Sequence, residues 1–381
     1  MKIVADENMA RVRELFGDLG ELTCLPGRSI SPEDVAEADV LLVRSVTRVD
    51  SALLAGSRIR FVGTATIGTD HLDLPWLSGA GIVTASAPGC NARSVVEYVL
   101  AALFELWRRD RLDWDRRVFG VVGLGNVGAR LARTLQGLGL KVVGCDPFVS
   151  HPDIRQLPLD ELLAEADVLS LHTPLTHDGS YPTWHLFDDS RLRSLRKNTI
   201  LINTGRGDVV DNTALLRLLR EGFLEGSDVA LDVWENEPGI DPELLRAVAI
   251  GTPHIAGYSQ EGKWQGSLMV REALCRFLGK PSGLPLQAES LVEAGSLLMS
   301  GTGWRALAGV VESVYPLLHD DAALREVTSA SGAPDRKTGF DGLRKNYGVR
   351  REFSAWRVQT TVPPDALTLS RLQALGFKVA D

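Results

Sequence analysis

Three short segments carry the residue types of a hydroxyl oxidation: Asn203-Thr204-Gly205-Arg206-Gly207, then Asp232-Val233-Trp234-Glu235-Asn236-Glu237-Pro238, then Pro253-His254. An arginine can hold a carboxylate through two parallel hydrogen bonds, which a lysine cannot. A histidine can take a hydroxyl proton while hydride leaves the same carbon, and a paired glutamate orients it and favours the imidazolium. Such general-base help typically contributes about 10²–10⁴-fold. Singly, each residue also has a plainer account. Arg206 could be a surface arginine, Glu237 a loop carboxylate and His254 a residue bonded to backbone. Their order, and the glycine loop that precedes them, make the set a candidate site.

That loop is Gly123-Leu124-Gly125-Asn126-Val127-Gly128. A strand pattern (117–122) leads into it, a helical one (129–138) leaves it, and the next strand (141–145) ends at Asp146. In a dinucleotide site the first glycine makes the turn, the second admits the pyrophosphate to the backbone, and the third packs helix on strand. The helix N-terminus then faces the phosphates. Asp146 would accept the adenosine ribose hydroxyls and repel a 2′-phosphate, so NAD is expected rather than NADP.

Further apolar strands are expected at 168–172, 199–203 and 229–233, with another short apolar run at 248–250. Alternation with helices predicts a parallel sheet, and ligands bind beyond the carboxyl ends of its strands. Arg206, Asp232 with Glu237, and His254 each follow one of these runs, so they should gather on the edge that carries the glycine loop. His172, also at a strand end, reads as shaping the nicotinamide-side loop.

Residues 1–93 hold short Val/Ile/Leu runs at 3–5, 40–43, 60–63 and 82–84, as expected of strands buried on both faces. A helix is expected over 7–19. Ser94 and Glu97 have the spacing of a capping box opening a helix that runs to Trp107 and crosses into a second domain. A helical pattern over 258–278 crosses back, and Pro281-Ser282-Gly283-Leu284-Pro285 reads as a linker. Beyond it lie helical patterns near 304–318 and 364–375, with a basic segment, 340–353, between them.

With 381 residues, 44% of them hydrophobic, the chain can build two or three cores. A net charge of −8 argues against a nucleic-acid surface. No apolar run reaches the roughly 18 residues of a membrane span, and the first residues lack a signal-peptide layout. The dispersed Cys24, Cys90, Cys145 and Cys275 read as reduced core residues of a cytoplasmic protein, with no metal site.

Taken together, Gly123–Gly128, Asp146, His172-Thr173-Pro174-Leu175-Thr176, Asn203–Gly207, Asp232–Pro238 and Thr252-Pro253-His254 resemble the D-isomer-specific 2-hydroxyacid dehydrogenases over residues 1–280. The resemblance implies an α/β fold of two doubly wound parallel-sheet domains: a Rossmann-type NAD domain (94–254) inserted in a flavodoxin-like substrate domain (1–93 and 255–282). It implies that Arg206 binds substrate, Glu237 supports the base and His254 is the acid/base. Gly123, Gly125, Asn126, Val127, Gly128, Asp146, Thr173, Gly207, Asp232 and Gly257 would hold the cofactor.

Asn126, Trp234 and Ala256-Gly257-Tyr258 depart from the broad family. With Ile3–Asn8, Arg44-Ser45-Val46-Thr47 and 340–353, they resemble one subfamily whose substrate carries a carboxylate, a 2-hydroxyl and a terminal phosphate. In that subfamily a small α+β domain (286–381) makes a homodimer, and Ser45, Thr66 and Tyr258 contact the substrate. Arg44, Arg344, Lys345, Arg350 and Arg351 are candidates for the phosphate. The alternatives are a phosphoglycerate or hydroxypyruvate dehydrogenase of the same family and, in another class, a non-catalytic NAD-sensing scaffold.

Overall fold

The structure, a computed structural model, describes residues 1–283, 293–330 and 332–380. The expected linker runs into 284–292 and the expected domain start at 286 lies there too, outside the described residues. Two compact units separate: Met1–Asn91 with Ser259–Val292, and Ala92–Tyr258 with Glu293–Asp381.

The first unit is built on a parallel sheet of β1 (Lys2–Asp6), β2 (Glu21–Leu25), β3 (Val40–Val43), β4 (Phe61–Thr64) and β5 (Val83–Ala85), in the order β2-β1-β3-β4-β5. β3 and β4 are buried along their whole length, as their apolar runs require. β2 is an edge strand of half-exposed residues, which is why no apolar run marks it in the sequence. The helix expected over 7–19 is confined to Val12–Phe16. The helix Gln260–Phe277 adds Trp264, Leu268 and Val270 to the same core.

The second unit carries β6 (Val118–Val122), β7 (Lys141–Cys145), β8 (Val168–Leu171), β9 (Ile200–Asn203), β10 (Val229–Leu231) and β11 (Ile250–Gly251). They pair in parallel in the order β11-β10-β9-β8-β6-β7. The order reverses between β6 and β8, the switch point where such sheets open a crevice for ligands. The helix Ala92–Arg108 is apolar nearly all round and almost entirely buried.

Ser94 and Glu97 do not form a capping box. The helix begins at Ala92, which puts both residues inside it. Ser94 Oγ donates to Glu352 at 3.1 Å, and Glu97 accepts the Phe353 amide at 2.8 Å. Their polarity serves the C-terminal segment instead.

That segment adds a three-stranded parallel sheet of β12 (Gly295–Met299), β13 (Trp356–Thr360) and β14 (Lys378–Val379). Its residues share one core with the six-stranded sheet. Trp304 stacks on Trp114 at 4.7 Å between ring centres, and Trp114 on Phe119 of β6 at 5.9 Å. Arg371 lies over Trp304 and donates to the Leu138 carbonyl, just past the helix Asn126–Gly137.

Candidate active site

Glycines let the loops at the carboxyl edge of the second unit's sheet touch. Gly123, after β6, has φ +87°, and a side chain there would meet the His172 carbonyl at 2.9 Å. Gly207, after β9, lies hard against the Trp234 backbone after β10. The Arg206 loop and the Glu237 loop are therefore packed backbone on backbone. Asn203 fixes the first of them: its amide donates to the Arg206 carbonyl and its side-chain oxygen accepts the Gly205 amide.

His254 Nδ1 lies 2.7 Å from Glu237 Oε2, so the imidazole N–H donates to a carboxylate that also accepts the Trp234 amide at 2.9 Å. The other ring nitrogen is thereby left as the proton-transfer atom. Burial alone would raise the Glu237 pKa. The charge and hydrogen bond of His254, the Trp234 amide and the Arg344 charge outweigh it and hold the carboxyl below its ordinary value.

His254 sits at φ 56°, in the left-handed region. Asp232 holds the turn in that shape. The His254 amide donates to the Asp232 carbonyl at 2.7 Å, while the Asp232 carboxylate accepts the Ile255 and Ala256 amides and the Thr252 hydroxyl. Tyr98 OH adjoins that hydroxyl at 2.7 Å, and Trp234 Nε1 donates to the Thr252 carbonyl. Backbone strain at a reactive residue persists only under such over-determination.

The residues around the glycine loop fit a dinucleotide. Gly125 caps the helix Asn126–Gly137 with open space where a side chain would stand, and Gly128 packs directly on the Gly123 carbonyl. Val127 is half-buried in the first turn. Asp146 accepts the Leu124, Phe148 and Val149 amides at 2.8, 2.9 and 3.1 Å, which fixes its carboxylate beside the loop with acceptor capacity left for a ribose hydroxyl. The Thr173 hydroxyl, beyond β8, is buried without a hydrogen-bond partner among the described residues, an acceptor or donor waiting for a ligand. A groove beside the loop is lined by Gly125, Asn126, Arg130, Arg133 and His151. Gly257 and Tyr258 are half-buried beyond the His254 turn.

His172 is wedged between Ser170 Oγ at 2.8 Å and Thr204 Oγ1 at 3.3 Å. Burial pushes its pKa down to about 3, so it stays neutral and structural. In the first unit Ser45 is exposed after β3. Thr66, after β4, donates to the Gly68 carbonyl at 2.9 Å and lies 2.7 Å from Thr64 Oγ1. Arg44 is paired with Asp6 at 3.1 Å.

The phosphate candidates of the basic segment separate sharply. Arg350 is buried and donates to the carbonyls of Tyr258 and Ala256, both at 2.7 Å, and of Ser94 at 3.3 Å. It therefore supports the chain around His254. Arg344 instead hydrogen-bonds the Tyr258 side chain, with the Glu237 charge near enough to act on it. Sequence reasoning missed His185, whose Nε2 lies 2.6 Å from Glu235. Glu235 also accepts the Asn212 amide, which ties down the Glu237 loop from its far side. Asp211 stands close enough to complete a cation-sized cluster with this pair, but the histidine and glutamate already satisfy each other. No local spacing signals these partners, because they lie far apart in sequence.

The NAD-binding domain model of the D-isomer specific 2-hydroxyacid dehydrogenases matches residues 103–256. A family described as a domain of unknown function (DUF3410) matches residues 293–376. The chain is 51% identical over 367 residues to an erythronate-4-phosphate dehydrogenase of Pseudomonas paraeruginosa, covering 94% of this chain and 95% of that one. An Escherichia coli protein of the same name is 48% identical over 385 residues, covering 99% and 98%. Among solved structures, TT0316 from Thermus thermophilus superposes with a TM-score of 0.65 at 26% identity, covering 75% of this chain and 100% of that one. The chain belongs to the erythronate-4-phosphate dehydrogenases, within the D-isomer-specific 2-hydroxyacid dehydrogenase family.

Proposed function

We propose that this family member oxidises the 2-hydroxyl of 4-phospho-D-erythronate to (R)-3-hydroxy-2-oxo-4-phosphooxybutanoate, in the biosynthesis of pyridoxal 5′-phosphate. The observation that carries the reading is the 2.7 Å pairing of His254 with Glu237 beyond β10 and β11, in a chain whose near full-length relatives bear that enzyme's name. Arg206 receives the substrate carboxylate through a bidentate pair. His254 takes the hydroxyl proton as the C2–H bond breaks and the C2–O double bond forms. Glu237 carries the countercharge to the imidazolium. NAD, held by Gly123, Gly125, Asn126, Val127, Gly128, Asp146, Thr173, Gly207, Asp232 and Gly257, supplies the hydride acceptor when bound. The products are the 2-oxo acid, NADH and a proton.

Ser45, Thr66 and Tyr258 are assigned as further substrate contacts, and the enzyme as a homodimer acting in the cytoplasm. Among the described residues no helix is long and apolar enough to cross a membrane. The test is NADH formation by purified protein with 4-phospho-D-erythronate, 3-phospho-D-glycerate and D-erythronate, a 2-oxo acid being added in parallel to recycle retained cofactor. Strong preference for the first is expected. Preference for phosphoglycerate, or no turnover, would overturn the substrate assignment.

A further inference from the structure

We propose that Arg344 receives the substrate's terminal phosphate and thereby decides which hydroxy acids the site accepts. The inference rests on the reading above, in which a small substrate carries an anion at each end. Arg206 answers the carboxylate, so a second cation is required.

The helix Ala333–Lys345 supplies it. Lys337, Phe340 and Arg344 follow a helical stripe of i, i+3 and i+7. Phe340 is buried in one cluster with Ile240 and Leu244, just past the Glu237 loop. The Lys337 side chain lies against Gly239 of that loop. The stripe is therefore anchored at two points, and its third residue is carried to the acid/base pair. There the Arg344 guanidinium hydrogen-bonds the Tyr258 side chain and lies within Coulombic reach of Glu237.

Arg344 Nε is buried with no hydrogen-bond partner among the described residues. A buried guanidinium donor without an acceptor is unfavourable and calls for an explanation. The planar fork of five donors matches a phosphate better than any other side chain does. Two other bases of the segment are placed differently. Arg350 is engaged with backbone carbonyls, and Lys345 is exposed at the helix end.

The test compares wild type with Arg344→Gln and Arg344→Lys, each first checked for an unaltered Tm. The readouts are kcat/KM for 4-phospho-D-erythronate and for D-erythronate, and competitive inhibition by inorganic phosphate. With Arg344→Gln the phosphorylated-to-unphosphorylated ratio should fall about 10- to 100-fold, the range of a charge-assisted hydrogen bond. The loss should lie mainly in KM, and phosphate inhibition should weaken in parallel. Arg344→Lys should recover part of the ratio, keeping the charge without the fork.

Equal losses on both substrates, with phosphate inhibition intact, would overturn the proposal and leave Arg344 as a support for Glu237. If the wild type instead favours 3-phospho-D-glycerate, the substrate assignment fails. The same ratio taken against D-glycerate then still decides the role of Arg344. If Arg344→Gln does not fold, Arg344→Lys and the phosphate inhibition constant carry the decision.

Discussion

Arg350 donates to the main-chain oxygen of Ala256 at 2.7 Å, two residues beyond His254. The C-terminal segment thus shapes the turn that presents the base. Replacing this arginine with methionine keeps most of the volume but strands the buried carbonyls of Ala256 and Ser94 and the part-buried one of Tyr258. Arg350→Met should cost about 3 kcal/mol of stability and lower kcat more than it raises KM. Urea denaturation and initial rates check both. A stability within about 0.5 kcal/mol of wild type, the range of ordinary surface changes, would contradict this account of the turn.

Glu237→Gln should lower kcat by about 10²-fold, within the range of general-base help, while NAD affinity, measured by fluorescence titration, holds. A pH signature accompanies it. The folded-state pKa of Glu237 is depressed, so its contribution to stability is present above the unfolded carboxylate value of about 4.3. The contribution is lost as pH falls through the lower folded value. The Tm gap between wild type and Glu237→Gln should therefore be full at neutral pH and close below about pH 4. A gap that is constant from pH 7 to 3 would show that the charge on Glu237 is not what stabilises the pair.

Asp320 gives the opposite sign. Burial raises its carboxyl to about 6, outweighing the Tyr347 hydroxyl and the Arg350 charge. Its favourable contribution is complete below the unfolded value of about 3.9 and is lost as pH rises through the folded value. Asparagine can still accept the Tyr347 hydroxyl, 2.9 Å away, without carrying the charge. Asp320→Asn should match wild type near pH 4 and exceed it in Tm above pH 6. A Tm at pH 7.5 equal to or below that of wild type would refute the prediction.

The parts legible in the sequence are those coded locally. Apolar runs mark β3, β4 and β6, which lie inside their sheets, and glycines mark the loop after β6, because strand burial and tight turns act on neighbouring residues. The placement of Arg206, Glu237 and His254 on one edge is legible because each follows a strand of one parallel sheet. The edge strand β2 was not legible, since a half-exposed strand needs no apolar run. Ser94 and Glu97 misled for a related reason. Their capping spacing is real, but their partners Glu352 and Phe353 lie more than 250 residues away. Arg344 and Arg350 stand in one basic segment, yet one bonds the Tyr258 side chain and the other bonds backbone carbonyls. Only the packing of Phe340 and the fold of the segment behind it separate the two.

Asp232 is the remaining case in which a residue read as a cofactor contact is deeply engaged inside the protein. Its Oδ1 accepts the Thr252 hydroxyl at 2.6 Å and the Ile255 amide at 2.8 Å, and its Oδ2 accepts the Ala256 amide at 2.9 Å. Burial raises its pKa against the pull of His254 and these donors. An asparagine must point its NH2 at one of these donors, leaving at least one unsatisfied at a cost of about 1–3 kcal/mol. Because the turn from Thr252 to Ala256 holds His254 at a positive φ, Asp232→Asn should lose stability and kcat together, with kcat reduced at least about tenfold, as a loss of roughly 1.4 kcal/mol in the positioning of the base would give. Steady-state kinetics at saturating NAD, together with thermal unfolding, make the measurement. A rise in KM for NAD with kcat and Tm preserved would instead make cofactor contact the whole of Asp232's role.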